Sequence, residues 1–324
     1  MSVNPSGSQH ELTPIAVRCV YDGIAWSSPQ VSGRSDASFA VASACVQYGF
    51  SVFEGLKAYR QHSGGVALFL VKQHAQRFTQ SARRLGLPQV PESLFIEACE
   101  AAMTAQAHLV PAMGAGSLYL RPLLAVPEER LGLRIPQIAE LVITAVVSQD
   151  PLLASKRLWV ETDLVRAWPG GVGAVKTAAN YSAGLMGLIK ARQQHCDDVL
   201  WLDGRASACI TEASTSNVFV EIGGIVLTPR LNDQLLPGIT RWSAIAALQK
   251  SGIPVREIDL SLGELLAASR QRRLGECFLT GTLSGITPVE CIQAGGVVMK
   301  PTTGKIGEEV RGQLASWQRG DGHP

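Results

Sequence analysis

Lys176 has the clearest chemical potential in this 324-residue chain. It stands in Gly173-Ala174-Val175-Lys176-Thr177-Ala178-Ala179-Asn180-Tyr181, between a glycine-rich loop and a helical pattern, and no other charge lies between Arg166 and Lys190. Apolar surroundings desolvate an amine and lower its pKa toward the neutral form that condenses with an aldehyde. The ordinary alternative is a lysine whose stem packs while its ammonium reaches water.

An aldehyde cofactor of the pyridoxal phosphate type makes further demands. It needs a carboxylate against its pyridine nitrogen. It needs a phosphate cup of amides, hydroxyls and an arginine, best built at a helix N-terminus. It also needs a group at the ring's phenolic oxygen. Glu212 and Thr215 lie in the small-residue segment Thr211-Glu212-Ala213-Ser214-Thr215-Ser216-Asn217, before an apolar strand. Leu236-Pro237-Gly238-Ile239-Thr240-Arg241 opens a helix, and Thr280-Gly281-Thr282 is a hydroxyl-bearing turn after a strand. Singly, these read equally as a solvated acid, a helix cap and a hairpin turn.

The elements that must position them form a chain long enough for two domains. A formal charge of +2 gives no reason to expect nucleic acid or an anionic membrane as partner. No apolar run approaches the roughly 18 residues of a membrane span. The polar stretch Met1 to Thr13 lacks the basic start and apolar run of a signal peptide, so the expected location is cytoplasmic. Seven scattered cysteines without a CxxC pair read as reduced thiols, and the lone cluster His195-Cys196-Asp197-Asp198 lacks a second ligand pair, so no metal is expected.

Strand patterns are expected from Pro14 to Trp26, with a turn at Asp22-Gly23, and over residues 66–71, 117–124 and 139–147. Helical periodicity covers about 72–85, ending at Gly86, and 91–109. Further on come strands at 157–165, 199–203 and 218–222, the last turning at Gly223-Gly224 into 225–227. Helices are expected over about 180–194 and from Arg241 to Gly252, with a strand near Val255. Helices and strands mix without a regular βαβ rhythm, which favours α+β.

Val52-Phe53-Glu54-Gly55-Leu56-Lys57-Ala58-Tyr59 resembles a signature of the branched-chain amino acid aminotransferases, fold type IV pyridoxal-phosphate enzymes. So do Ser117 to Pro122, Arg166 to Gly173 with Lys176 after it, Asn180-Tyr181, Asp198 to Leu202, Thr211-Glu212, Asn217 and the block 236–241. These blocks follow the family's order from about residue 15 to the C-terminus. The resemblance implies a small N-terminal α/β domain (15–148) after a flexible arm (1–14), an interdomain segment (149–157), and a larger cofactor-binding domain (158–324) with a β-barrel-like core. It implies a homodimer acting on amino acids and 2-oxo acids.

Residue by residue, the resemblance implies that Lys176 forms the internal aldimine with pyridoxal 5'-phosphate and then serves as base in the 1,3-proton shift of a ping-pong reaction. Glu212 would pair with the pyridine nitrogen and Tyr181 with the phenolic oxygen. Arg77 would grip the phosphate with Ile239, Thr240 and Thr282. Tyr48, Phe53, Tyr119 and Arg121 would line the substrate site, one tyrosine coming from a partner subunit. The substrate carboxylate would meet the turn at Thr282-Leu283. For Tyr48 and Phe53 the alternative is plain core packing.

Three positions depart from the family pattern. Leu283 replaces a small residue, Ser148-Gln149-Asp150-Pro151-Leu152-Leu153 carries no aromatic, and Ala178 and Ala179 replace glycines. They bear on substrate more than on reaction type. The expected activity is transfer from a branched-chain or related hydrophobic L-amino acid to 2-oxoglutarate. Alternatives are an unusual amino acid in a dedicated biosynthetic pathway, D-amino acid or amine transamination, aminodeoxychorismate lyase chemistry, or a catalytically silent paralogue.

Overall fold

The computed structural model describes residues 12–149 and 154–324; residues 1–11 of the expected arm and 150–153 of the expected interdomain segment lie outside it. The chain is α+β and divides into two compact units. One runs up to Thr79 and from Gly86 to the end of the seventh strand; the other comprises Gln80–Leu85 and the rest of the chain through Pro324.

The first unit contains β1 (Ile15–Tyr21), β2 (Gln30–Gly33), the short α1 (Ala44–Gln47), β3 (Ser51–Phe53), β4 (Leu56–Arg60) and β5 (Val66–Leu68). Then come α2 (Val71–Arg84), whose last turn belongs to the second unit, α3 (Glu92–Ala105), β6 (Gly116–Ala125) and β7 (Ala139–Gln149). The sheet runs β2-β1-β7-β6-β4-β5, with β3 also on β6. β3 and β4 keep one register along β6, with Phe53 opposite Leu123 and Leu56 opposite Leu120. The ladder is interrupted between them because Pro122 has no N–H to donate. Glu54 N still donates to Pro122 O at 2.8 Å.

That register sorts the Val52–Tyr59 block by parity, since successive strand side chains face opposite ways. Phe53 shares a face with Tyr119 and Arg121, and Glu54 takes the other. Phe78 of α2 meets Phe95 of α3 with ring centroids 4.9 Å apart, helping to bind the two helices.

Several expected boundaries shift. The strand over 66–71 ends at Leu68, because Leu70 adopts φ 55° and α2 starts at Val71. α3 stops at Ala105 and tightens into a 3-10 turn over Ala107–Leu109. The strand expected to reach Val165 ends at Glu161, whose carboxylate accepts the amides of Asp163 and Leu164 and turns the chain.

The second unit contains β8 (Lys156–Glu161), α4 (Ala178–Gln193), β9 (Asp198–Leu202), β10 (Ile210–Ala213), β11 (Asn217–Ile222) and β12 (Ile225–Pro229). α5 (Ile239–Lys250), β13 (Val255–Ile258), α6 (Leu262–Arg270), β14 (Leu274–Gly281), β15 (Gly285–Ala294), β16 (Val297–Met299) and α7 (Ile306–Gln318) complete it. Its sheet runs β10-β9-β8-β15-β14-β11-β12-β13, with β16 on β15. It curls, because the edge strand β10 leads directly into the interior strand β11 through a turn closed by Ala213 N donating to Ser216 O.

Parity again divides the faces. Leu200 and Leu202 of β9 enter a core with Val218, Val220, Leu279 and Ile292. Val199 and Trp201 of the same strand pack toward α4 with Ala191. A Cβ at Gly187 of α4 would sit 2.8 Å from Trp201 Cζ2, so the glycine lets the indole lie against the helix.

Candidate active site

The loop from Ala167 to Lys176 is pinned at many points. Arg84 Nη2 donates to the carbonyls of Gly170 (2.6 Å) and Gly171 (3.0 Å), and Ala174 N donates to Asp233 O at 3.0 Å. The Asn180 amide donates to Val172 O (2.7 Å) and Val175 O (2.5 Å). Gly173 runs so close to Asp233 and Gln234 that a Cβ would lie 2.7 Å from Asp233 O. The backbone amide of Lys176 itself donates to Ser81 Oγ at 3.2 Å. This fixes the half-buried Lys176 just before α4, and its Nζ donates to Tyr181 Oη at 3.1 Å.

Glu212 is buried at the end of β10 and fully engaged. Arg166 Nη2 donates to Oε1 at 2.6 Å, while Asn217 Nδ2 (3.0 Å) and Leu236 N (3.1 Å) donate to Oε2. Arg166 also donates to Gln234 O, tying the carboxylate to the segment that leads into α5. A charged group this deep in the protein requires such compensation.

Hydroxyls and amides gather beside it. Asn217 pairs with Thr280 across β11 and β14, and Gly238, the N-cap of α5, is pressed against Asn217 Oδ1. The first turn of α5, with Ile239 and Thr240, has no side-chain cap, so its leading amides lack helical acceptors. A Cβ at Gly281 would lie 2.8 Å from Ser284 Oγ and 3.1 Å from Ser216 Oγ, which places the Thr282 turn next to the Thr215 segment. Thr280 Oγ1 is buried and has no hydrogen-bond partner among the described residues.

In the first unit, Arg121 stacks over Phe53 (4.8 Å to the ring centroid) and Tyr119 (5.3 Å), and its Nη2 donates to Tyr119 Oη at 3.0 Å. Gly55 is required there, because a Cβ would collide with the Tyr119 hydroxyl. On the opposite face the fully buried Glu54 accepts Arg77 Nε at 2.7 Å and Arg77 Nη2 at 2.8 Å, and lies 2.7 Å from His74 Nδ1. Burial pushes the Glu54 carboxyl up, but the Arg77 charge and the bonds from Arg77 and His74 outweigh it and hold it well below the usual range.

The family model for amino-transferase class IV matches residues 51–292. Branched-chain-amino-acid transaminase 1 of Bacillus subtilis (strain 168) is 37% identical over 291 residues, spanning 89% of this chain and 82% of its own. The chain belongs to the branched-chain aminotransferase family. The solved branched-chain amino acid aminotransferase of Escherichia coli shares its fold with a TM-score of 0.75 at 27% identity, over 90% of this chain and 93% of that one. The T.th. branched-chain enzyme complexed with N-(5'-phosphopyridoxyl)-L-glutamate gives 0.76 at 25% identity, over 97% and 96%. The protein is a pyridoxal-phosphate-dependent aminotransferase of fold type IV.

The aminotransferase's own residues suit that cofactor. The second unit supplies an amine beside a phenol, a buried carboxylate, uncapped helix amides, and an orphaned hydroxyl on the strand that ends at the Thr282 turn. Within the first unit, Phe53, Tyr119 and Arg121 come together, and Tyr48 makes contacts of its own. Its hydroxyl accepts Gly132 N at 2.6 Å and its ring lies 6.0 Å from Phe50. Leu283 stands 39% exposed in the turn that joins β14 to β15.

The sequence singled out neither Arg166 nor Glu54 for a role, though both lie inside quoted blocks. Each is a buried charge, and only its partner, 46 and 23 residues away respectively, reveals what it does. Among the described residues no group of three or more His, Cys, Asp or Glu could hold a metal ion, and no helix is long and apolar enough to cross a membrane.

Proposed function

We propose that this aminotransferase moves the amino group of a branched-chain or related hydrophobic L-amino acid to a 2-oxo acid, 2-oxoglutarate being the expected acceptor. The observation that carries the chemistry is the Lys176 Nζ to Tyr181 Oη contact at 3.1 Å, held between a pinned loop and α4. When bound, pyridoxal phosphate supplies the aldehyde that condenses with amines and a ring that withdraws electrons.

The chain's residues supply the rest. Lys176 Nζ holds the cofactor and takes the proton from the substrate Cα. Tyr181 Oη orients that amine and hydrogen-bonds the phenolic oxygen. Glu212 would pair with the pyridine nitrogen, with Arg166 donating to the same carboxylate. Ile239, Thr240, Thr215 and Thr282 serve the phosphate, an assignment supported by the uncapped start of α5. Arg77 carries the same assignment. A guanidinium has five donors, so pairing with Glu54 is compatible with it.

Phe53, Tyr119 and Arg121 are the substrate-lining candidates, with Tyr48, Leu283 and the Thr282 amide. Relatives bearing branched-chain names and the Arg121 cation stacked over Phe53 support an apolar side chain beside a carboxylate. The exposed Val41, Val46, Leu131, Leu133 and Ile135 support a homodimer. Seven free thiols support a cytoplasmic location.

The test is a half-reaction screen following the visible absorbance of the bound cofactor. Leucine, isoleucine or valine should bleach it. Bleaching by aspartate or D-alanine but not leucine would overturn the substrate class. A Lys176→Ala protein that kept a borohydride-sensitive band would overturn the role of Lys176.

A further inference from the structure

Glu54 carries a buried charge that the reaction itself does not use. It is 0% exposed and sits between β3 and β4, where their pairing with β6 is broken at Pro122, with its own amide bonded to Pro122 O. There it grips one edge of the Arg77 guanidinium through Nε and Nη2, while His74 Nδ1 closes on the same carboxylate. His74 is 2% exposed and Arg77 6%.

A guanidinium is a planar fork, so two bonds along one edge fix its plane and the direction of its other N–H groups. That orientation is set before any anion arrives, which spares the anion the entropic cost of ordering a long side chain. His74 stands three residues before Arg77 on α2 and buttresses the carboxylate from the same helix face.

We infer that Glu54 is a positioning residue for the cofactor phosphate: it acts through Arg77, presenting the guanidinium in a fixed plane. This rests on the reading of Arg77 as a phosphate ligand. Glu54 touches no reacting atom, so its effect falls on phosphate recognition. The second residue of the Phe53-Glu54-Gly55 motif thus serves cofactor binding, while its neighbour Phe53 faces the Arg121 cluster on the other side of the sheet.

The experiment compares binding of pyridoxal 5'-phosphate with that of pyridoxal, which lacks the phosphate, to the full-length chain by visible absorbance. The ratio of the two dissociation constants reports phosphate recognition alone. Glu54→Gln should cut that ratio about 10- to 100-fold, the scale known for residues that orient a metal's ligands from behind. Pyridoxal affinity should be unchanged, and Glu54→Asp, which keeps the charge with a shorter reach, should be intermediate.

Arg77→Met should cut the ratio at least as far, and adding Glu54→Gln to it should change nothing more, since residues acting as one unit are non-additive. This double variant also removes both buried charges and covers the case in which Glu54→Gln alone does not fold. If Arg77→Met leaves the ratio intact, the Arg77 reading fails and the inference falls with it. If Arg77→Met cuts the ratio but Glu54→Gln does not, or tightens phosphate binding, the inference alone fails. Equal loss for both ligands would make Glu54 a purely structural acid and overturn it too.

Discussion

Arg166 donates to Glu212 at 2.6 Å, and the two side chains are only 5% and 7% exposed. This pair joins the residue that opens the glycine-rich segment to β10, so the carboxylate of Glu212 is held by the segment that also carries Lys176. Replacing Arg166 by Leu strands a buried carboxylate and should cost about 3–5 kcal/mol in urea unfolding. The visible band of the bound cofactor should weaken as well. An Arg166→Leu protein with wild-type stability and spectrum would show that the pair is dispensable.

Tyr181 offers a cleaner separation of chemistry from folding. The residue is 40% exposed, so Tyr181→Phe should leave the unfolding midpoint nearly unchanged. Losing the Oη bond to Lys176 Nζ removes about 1–2 kcal/mol of interaction, or roughly tenfold in kcat. The pH dependence of the visible band should move with it. A Phe variant with unaltered kcat and pH profile would remove Tyr181 from the mechanism.

Glu54 should make stability depend on acid. Its carboxyl is held below the ordinary value of 4.5, because the Arg77 charge and the Arg77 and His74 bonds outweigh the opposing effect of burial. The unfolded chain then binds more protons than the folded one, so stability rises with pH through this window. The contribution is complete above pH 4.5 and is lost progressively as pH falls below it. Urea midpoints of wild type and Glu54→Gln measured along a pH series should converge on acidification. A constant difference down the series would contradict the depressed value.

The contact between α4 and β9 depends on a missing side chain. Gly187→Ala places a methyl 2.8 Å from Trp201 Cζ2, and Trp201 is itself only 1% exposed. Overpacking of this kind costs about 1–3 kcal/mol. Thermal unfolding should show the loss, while the neighbouring exposed change Met186→Ala should not.

Much of this was legible in the residues. Lys176 and Glu212 were nameable from local settings, a glycine-rich loop and a small-residue turn, and Tyr181 through the family resemblance. The hairpin at Gly223-Gly224 was equally local, since both glycines take positive φ of 61° and 86°. Local signals also located most helices, but not their ends. Val71 completes an apolar run by composition yet begins α2, because the backbone has already turned at Leu70.

Long-range pairing was beyond the sequence. Nothing in Val52–Tyr59 says that Phe53 meets Arg121 while Glu54 meets Arg77; strand parity and the break opposite Pro122 decide that. Nor does the sequence say that the Tyr48 hydroxyl accepts the amide of Gly132, 84 residues further on. The sequence by itself determined the reaction class, because its blocks resemble, in order, those of a family whose chemistry needs these side chains. Only the tertiary structure decided which buried charges answer one another. A carboxylate buried away from water takes whichever cation the register delivers to it, whatever the distance along the chain.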